Sequence, residues 1–422
     1  MSAPTLTPHK ATRPKLRLAF ASAVIALIAT FGTVGSTVPL FNVYRAEDGF
    51  TNAGIAVAVV VYSAATLTTL LVLGRVSNHV GRRPISIASL ALLFLGCVLL
   101  LNVNDISELV IGRLMLGLGA GLASSSLTSY IVDTAPRRPR WLASVASSQT
   151  VMLGLAIGAV VSGALVQFAP VPRQLIYLVD MAFLIVSILL IIASPETVRR
   201  KPGARRSMKP SVRVPAHVRH LIPVTAAVLL STWSVGAFYQ AFVPALVENQ
   251  LHTSSPLVLG LVFAAYMAPS ALGAPLGSRF APSTAQRVGM AAFLIGIIGV
   301  IAAVITSTLI LFIASTIVAG AAQGIAISAA TRGLLHGSRI DDRAPTFSVI
   351  YLISYTGATI PALIAGQLSN VLALSQIILG YGAFALIATV WTLLGARNPL
   401  AHPGGEEVAI SELSGKGRDS GF

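Results

Sequence analysis

The sequence predicts an all-α membrane protein of twelve transmembrane helices, arranged as two pseudo-symmetric six-helix bundles. Three observations carry this prediction: scarce charge, twelve apolar runs of spanning length, and basic residues that alternate from one connection to the next. The chain has 422 residues, of which 55% are hydrophobic and 10% charged, and its mean hydropathy is +0.82. Soluble domains carry roughly 25% charged residues. A chain so poor in charge would leave much of its surface apolar, and lipid is the solvent that tolerates this. Many of its 36 glycines and 23 prolines lie inside apolar runs, which membrane helices allow. The expected surroundings are the lipid bilayer of the cell (inner or plasma) membrane.

A helical span needs about 20 apolar residues. Twelve such runs are read at 18–42, 53–73, 85–102, 109–131, 142–167, 174–194, 221–245, 256–277, 288–305, 308–331, 345–368 and 375–395. The long connection is 195–220, rich in Arg, Lys and Pro, and it divides the chain into two six-span halves. The expected organisation is an N-tail 1–17, a first bundle 18–194, a basic linker 195–220, a second bundle 221–395 and a tail 396–422. The last is polar, Gly-rich and expected to be disordered. The opening cations Lys10, Arg13, Lys15 and Arg17 lead into an apolar run too long for the core of a cleavable signal.

With the N-terminus placed in the cytoplasm, 26 of the 29 Lys and Arg fall on the cytoplasmic side. Two, Arg45 and Arg173, fall outside, and one, Arg113, is inside a span. The outer connections carry Glu47, Asp48, Asp105, Glu108 and Glu248. This is the positive-inside rule, and a missed span would scramble the alternation. Both termini are therefore expected in the cytoplasm. The net charge of +15 reads as a topology signal rather than as a nucleic-acid surface, so no nucleic-acid partner is expected.

The single cysteine, Cys97, lies in an apolar run, which rules out an intrachain disulfide and a cysteine-based metal site. There is no H-E-x-x-H, no P-loop lysine motif and no C-x-x-C, so no enzyme chemistry, catalytic residue, metal or cofactor is expected. Without a nucleotide-binding segment, a gradient is the available driving force.

The halves share an internal repeat at an offset of 203. Gly117, Gly121 and Ser125 in span four fall on Gly320, Gly324 and Ser328 in span ten. Residues 154–165 in span five fall on 357–368 in span eleven, matching Gly154 to Gly357 and Gly163 to Gly366, while Leu73-Gly74 falls on Leu276-Gly277. Six spans separate equivalent helices, so the halves are related by an axis along the membrane normal. Small residues four apart let helix backbones approach closely. Gly117, Gly121, Gly154, Gly158, Gly163, Gly320, Gly324, Gly357 and Gly366 are thus expected at packing seams.

Gly74-Arg75-Val76-Ser77-Asn78-His79-Val80-Gly81-Arg82-Arg83-Pro84 between spans two and three resembles the signature loop of the major facilitator superfamily, G-x-L-x-D-R-x-G-R-R-P in outline. Gly74, Gly81, Arg82, Arg83 and Pro84 match, and Asn78 stands where the family has aspartate. Arg113 with Gly117, Gly119 and Gly121 resembles the family's R-x-x-x-G-x-G-x-G pattern in span four. In span five, Gly158, Ala159, Ser162 and Gly163 resemble the export-associated G-P-x-x-G-G, without its proline and with serine for one glycine. The resemblance is to the twelve-helix drug/proton antiporter-type members. It implies a loop that latches the inner side, with Asp133 as the partner of Arg82.

Arg113 and Asp180 are the two charges inside spans. Charge there is costly and marks function by default. Arg113 reads as an anion contact or an electrostatic control of a proton site, with a structural hydrogen bond as the plainer account. Asp180 reads as a proton carrier, or as a carboxylate packed against a hydrogen-bond donor or Arg173. In the family, spans one, two, four, five, seven, eight, ten and eleven line the central cavity. The resemblance therefore makes Tyr62, Arg113, Gln149, Met152, Trp233, Tyr239, Gln240, Tyr266, Met267, Gln323, Tyr351 and Tyr355 the cavity candidates. Gly74, Asn78, Gly81, Arg82, Arg83, Arg113, Asp133 and Asp180 are the coupling and gating candidates. Aromatic and Met-rich walls suit amphiphilic ligands.

The expected function is proton-coupled efflux of small amphiphilic, drug-like compounds by one chain acting as a monomer, with a small-molecule substrate and a proton gradient as its partners. The alternative is uptake of a sugar, an organic acid or another metabolite. A receptor or enzyme without transport is the third possibility, and the latch-like loop and the repeat argue against it.

Overall fold

A computed structural model describes residues 13–136, 141–210, 212–338 and 340–399. The tail residues 1–12 and 400–422 and the loop cations Arg137, Arg138, Arg140 and Arg339 lie outside the described residues.

Twelve long helices dominate. They are numbered α1 (Arg13–Asp48), α2 (Asn52–Leu73), α3 (Arg82–Leu100), α4 (Ile106–Thr134), α5 (Trp141–Phe168) and α6 (Pro172–Ala193) in the first half. In the second half are α7 (Ile222–Ala241), α8 (Pro256–Gly277), α9 (Pro282–Ile305), α10 (Leu309–Leu335), α11 (Ile340–Leu368) and α12 (Leu374–Gly395). Among the described residues, twelve helices are long and apolar enough to cross a bilayer. The chain is a multi-pass, all-helical membrane protein.

Local chemistry sets several helix starts. Thr51 caps α2 by accepting from the Gly54 amide at 3.1 Å. Asp105 and Glu108 form a reciprocal capping box at α4, satisfying amides that have no helical partner. Proline opens α6, α8 and α9, where its missing N–H costs nothing.

The sequence read one uninterrupted span at 221–245. The structure instead breaks that run at Phe242 (φ −119°, ψ −27°), and a short helix, Val243–Leu251, continues it. Pro244 explains the break, because it has no amide to donate back into the preceding turn. The Gln240 carbonyl thereby loses its helical donor.

Within the first half, α1 packs on α5 and α4 packs on both α2 and α3; within the second, α8 and α9 pack on α10, and α7 packs on α11. Two seams join the halves, α2 against α11 and α5 against α8. Helices α3, α6, α9 and α12 turn large apolar side chains outward, among them Leu95, Phe183, Ile295 and Leu394, as a lipid-facing rim requires.

The repeat glycines sort into two kinds. Seven pack inside one half. A Cβ on Gly117 would lie 2.5 Å from the Tyr62 carbonyl and one on Gly154 3.0 Å from that of Ile28, while Gly121, Gly158, Gly320, Gly324 and Gly357 abut their own half in the same way. Gly163 and Gly366 instead face the other half. A Cβ on Gly163 would sit 2.5 Å from the Pro256 carbonyl of α8, and one on Gly366 would sit 2.6 Å from the Ala56 Cβ of α2.

These contacts also correct the repeat register. Gly117 and Gly320, 203 apart, rest on Tyr62 and Tyr266, which are 204 apart. Gly154 and Gly357 rest on Ile28 and Leu230, which are 202 apart. A single offset therefore does not carry through α1 and α2.

A leucine at Gly158 would collide with the Gly32 carbonyl on α1. Overpacking of this kind costs about 1–3 kcal/mol or more. Gly158→Leu is expected to lower the melting temperature in detergent by about 5–10 °C. Gly380→Leu, with open space around its Cβ, leaves it unchanged.

Candidate functional site

Between the halves lies a cavity of about 1140 Å³. Its wall runs from Phe31, Val34, Tyr62 and Gln240 to Arg75, Asn78 and Ser278 in the connections at the end that carries the basic loops. It thus opens at that basic end. No residue of the connections at the opposite, acidic end lines it.

Of the sequence candidates, Tyr62, Gln149, Met152, Trp233, Gln240, Met267, Gln323, Tyr351 and Tyr355 line the cavity. Trp233 and Tyr355 pack with ring centroids 4.9 Å apart, and Phe347 stacks with Tyr351 at 6.0 Å, which makes an aromatic wall on α7 and α11. The Gln149 amide donates to Ser148 at 2.9 Å.

Three candidates do not line it. Tyr239 stacks on Tyr266 at 4.2 Å, nearly parallel, and its hydroxyl meets Thr316 at 2.7 Å. Both rings are buried inside the second bundle. Because α7 is apolar around its whole circumference, periodicity could not show which of Tyr239 and Gln240 faces inward. Arg113 is fully buried just beyond the cavity's inner end. It donates to Thr37 at 2.9 Å and across the halves to Gln240 at 3.2 Å. Its guanidinium lies over the Tyr62 ring at 4.5 Å and the Phe41 ring at 5.7 Å. Nε has no partner.

Asp180 is not on this cavity either. It accepts from Ser36 at 2.6 Å in a separate pocket of about 280 Å³ between α1, α5 and α6. The alternative pairing with Arg173 is overturned. Arg173 binds Asp48 at 2.8 Å and Glu47 at 3.0 Å, and Asp48 and Glu47 end α1 near the start of α6.

The acidic end is sealed by contacts that sequence reasoning missed. Arg45 donates to Asn42 at 2.5 Å, to Asn52 at 2.9 Å and to the Ala241 carbonyl at 2.6 Å. Asn42 donates to the Pro244 carbonyl at 2.9 Å and to Glu248 at 2.7 Å. The two carbonyls lie on either side of the break, Ala241 at the end of α7 and Pro244 at the start of the short helix. The available signal was Arg45 itself, one of two cations placed against the charge bias. Ser255 and Gln167 add a bond between the halves at 2.5 Å.

A twelve-helix, two-bundle architecture of this kind recurs in solved structures. A bacterial homolog to human lysosomal transporter Spinster, in an inward-facing and unoccupied conformation, aligns over 93% of this chain and 100% of its own with a TM-score of 0.74 at 14% identity. The nucleoside transporter NupG aligns over 90% of this chain and 100% of its own with a TM-score of 0.69 at 11% identity. The model of the Major Facilitator Superfamily matches residues 21–254, more than half of the chain. The chain belongs to the Major Facilitator Superfamily. Among relatives, MFS efflux transporter aclA of Aspergillus oryzae is 34% identical over 153 residues, covering 36% of this chain and 26% of its own. Monosaccharide-sensing protein 2 of Arabidopsis thaliana is 32% identical over 108 residues, covering 26% of this chain and 14% of its own. The uncharacterized MFS-type transporter EfpA of Mycobacterium tuberculosis is 29% identical over 153 residues, covering 35% and 29%. The matched segments thus span under a third of the length of these relatives.

The superfamily's signature loop is folded onto its own half. Arg82 donates to Asp133 at 3.0 Å, to Ser77 at 2.8 Å and to Asn78 at 2.6 Å. Asn78 thus supplies the neutral acceptor that its substitution for aspartate leaves. Glu196, just past α6, accepts from the backbone amides of Arg82 at 2.9 Å and Arg83 at 3.0 Å. A carboxylate suits the positive end of α3. Gly81 has φ +120°, a backbone conformation that favours glycine, and a Cβ there would lie 2.6 Å from the Glu196 carboxylate. Tyr130 donates to the Pro195 carbonyl, binding α4 to the same corner. Glu196 has no signature in the sequence, because an acid reaching a distant helix start leaves no local pattern. Arg82→Ala would leave Asp133 and Asn78 without their cation. Charged hydrogen bonds contribute about 1.5–3 kcal/mol each, so a melting-temperature drop of about 5–10 °C is expected in a thermal scan.

Proposed function

We propose that this protein is a secondary active transporter that exports small amphiphilic compounds by alternating access, driven by the proton gradient. The observation that carries the reading is the cavity of about 1140 Å³ between two similar bundles, open at one end only. With the basic end in the cytoplasm, this is an inward-open state. The acidic end is shut by the Arg45–Asn42–Glu248 cluster and by the glycine contacts of Gly163 and Gly366. Rocking of one bundle against the other about the α2–α11 and α5–α8 seams would present the same wall to the outside. Efflux is supported by the likeness to aclA and by the aromatic wall, which suits an amphiphile. The cavity lies wholly within one chain, so a monomer suffices. Asp180, the carboxylate inside a span, is the proton site of this reading.

Uptake of a sugar is the second reading, favoured by the likeness to monosaccharide-sensing protein 2 and by a wall with many hydroxyls, Ser124, Ser125 and Thr128 among them. Inside-out vesicles energised with a proton gradient separate the two. Export predicts accumulation of an amphiphilic dye that a protonophore abolishes. Accumulation in whole cells without accumulation in vesicles contradicts export.

A further inference from the structure

The charge inventory of the cavity is one-sided. Among the described residues its wall includes Arg75 and Arg332 and contains no Asp, Glu or His. Arg332 donates to the Gly277 carbonyl at 2.6 Å, and its Nε is buried without a partner. Arg75 is held by the Lys209 carbonyl at 2.5 Å. Beyond the inner end stands Arg113, fully buried behind Tyr62 and Gln240, with neutral partners only and an unpartnered Nε. The described carboxylates nearby are turned elsewhere. Asp133 pairs with Arg82, Glu248 meets Asn42 in the seal, Asp180 is bound to Ser36 in the other pocket, and Asp342 is not part of the wall. A cleft lined by one sign of charge between low-dielectric walls focuses that field and concentrates the opposite ion.

We infer that the substrate of this cavity is an amphiphilic organic anion: an aromatic body with a carboxylate, sulfonate or phosphate group. The inference rests on the transporter reading and names its substrate class. The anionic group is drawn past Arg332 at the mouth toward Arg113. The aromatic body packs on Trp233, Tyr351 and Tyr355. Among the described residues of the wall an organic cation finds no carboxylate to pair with.

The test uses three matched probes on the full-length chain: a fluorescent naphthalene sulfonate, its neutral sulfonamide and the corresponding primary amine. Binding to the purified protein in detergent is measured beside transport into inside-out vesicles. The sulfonate is expected to bind at least about tenfold more tightly than the amine, with the sulfonamide between them. In Arg332→Gln and in Arg113→Gln the ratio of sulfonate to sulfonamide binding falls by about tenfold, and Arg332→Lys keeps it. Raising the salt weakens sulfonate binding at the mouth. An amine that binds as well as the sulfonate, or a ratio unmoved in Arg113→Gln/Arg332→Gln, overturns the anion assignment while leaving transport intact. Selective sulfonate binding without movement of any probe supports the assignment and counts against the transport reading.

Discussion

Gly163→Leu, alone or with Gly366→Leu, is expected to trap the transporter with its acidic end open. A Cβ at Gly163 would lie 2.5 Å from the Pro256 carbonyl and 3.0 Å from the Leu257 Cα, and one at Gly366 would lie 2.6 Å from the Ala56 Cβ. Both contacts cross between the halves. A leucine at either place forces the bundles apart where this conformation needs them together. Such a wedge costs about 1–3 kcal/mol, or about a 5- to 150-fold shift between two states. The seven glycines that pack inside one half have no such leverage, and their substitution damages the bundle instead. Thiol labelling reads the difference. Cys97 is fully buried and stays silent. A cysteine introduced at Ser328, on the cavity wall, labels readily in the parent and is protected in Gly163→Leu. A cysteine at Val38, fully buried, behaves in reverse. Unchanged labelling in a folded variant contradicts the seam assignment.

Arg45→Ala is expected to break the seal itself. Arg45 ties Asn42 and Asn52 to the Ala241 carbonyl of the interrupted α7. Its removal leaves three acceptors without their cation. Only the bond to Ala241 crosses the halves, so the loss to the closed state is that of one hydrogen bond to a charged group, about 1.5–3 kcal/mol. The equilibrium moves toward the open acidic end by about 10- to 150-fold, and net transport falls because the return step is starved. The Val38 reporter labels in this background as it does in Gly163→Leu. The melting temperature changes little, since each bundle keeps its own core. Glu248→Ala, which removes only a contact to Asn42, is expected to act in the same direction and more weakly. An Arg45→Ala protein that transports at the parent rate contradicts the seal.

What the sequence could and could not reveal follows from helix physics. Hydropathy and the alternation of Lys and Arg sense the bilayer directly, which is why twelve spans were legible. Residue pairs fixed by a loop motif were legible too; Arg82 and Asp133 meet at 3.0 Å. The facing of α7 was not. A helix buried on all sides carries no polar stripe, so both Tyr239 and Gln240 read as cavity residues, and Tyr239 stacks on Tyr266 while Gln240 reaches Arg113. The break at Phe242 was hidden because a proline in a membrane helix often leaves it continuous. The cluster of Asn42, Arg45 and Glu248 joins residues some 200 positions apart through side chains and backbone carbonyls, a relation that neither propensity nor periodicity records. The repeat offset failed in α1 and α2 for a simpler reason: the stretch from Ile28 to Tyr62 is two residues shorter than that from Leu230 to Tyr266, and the stretch onward to Gly117 is one longer than that to Gly320, which shifts the register without disturbing the glycine pattern.

Spin-label distances across the two ends test alternating access most directly. One pair sits at Ser129 and Thr331 on opposite cavity walls, the other at Ala46 and Asn249, exposed at the acidic end. The account predicts two populations at each pair. When pH or substrate changes, the Ser129–Thr331 distance shortens as the Ala46–Asn249 distance lengthens, and Gly163→Leu selects the second state. A single fixed distance at both ends under every condition, or both ends widening together, contradicts it.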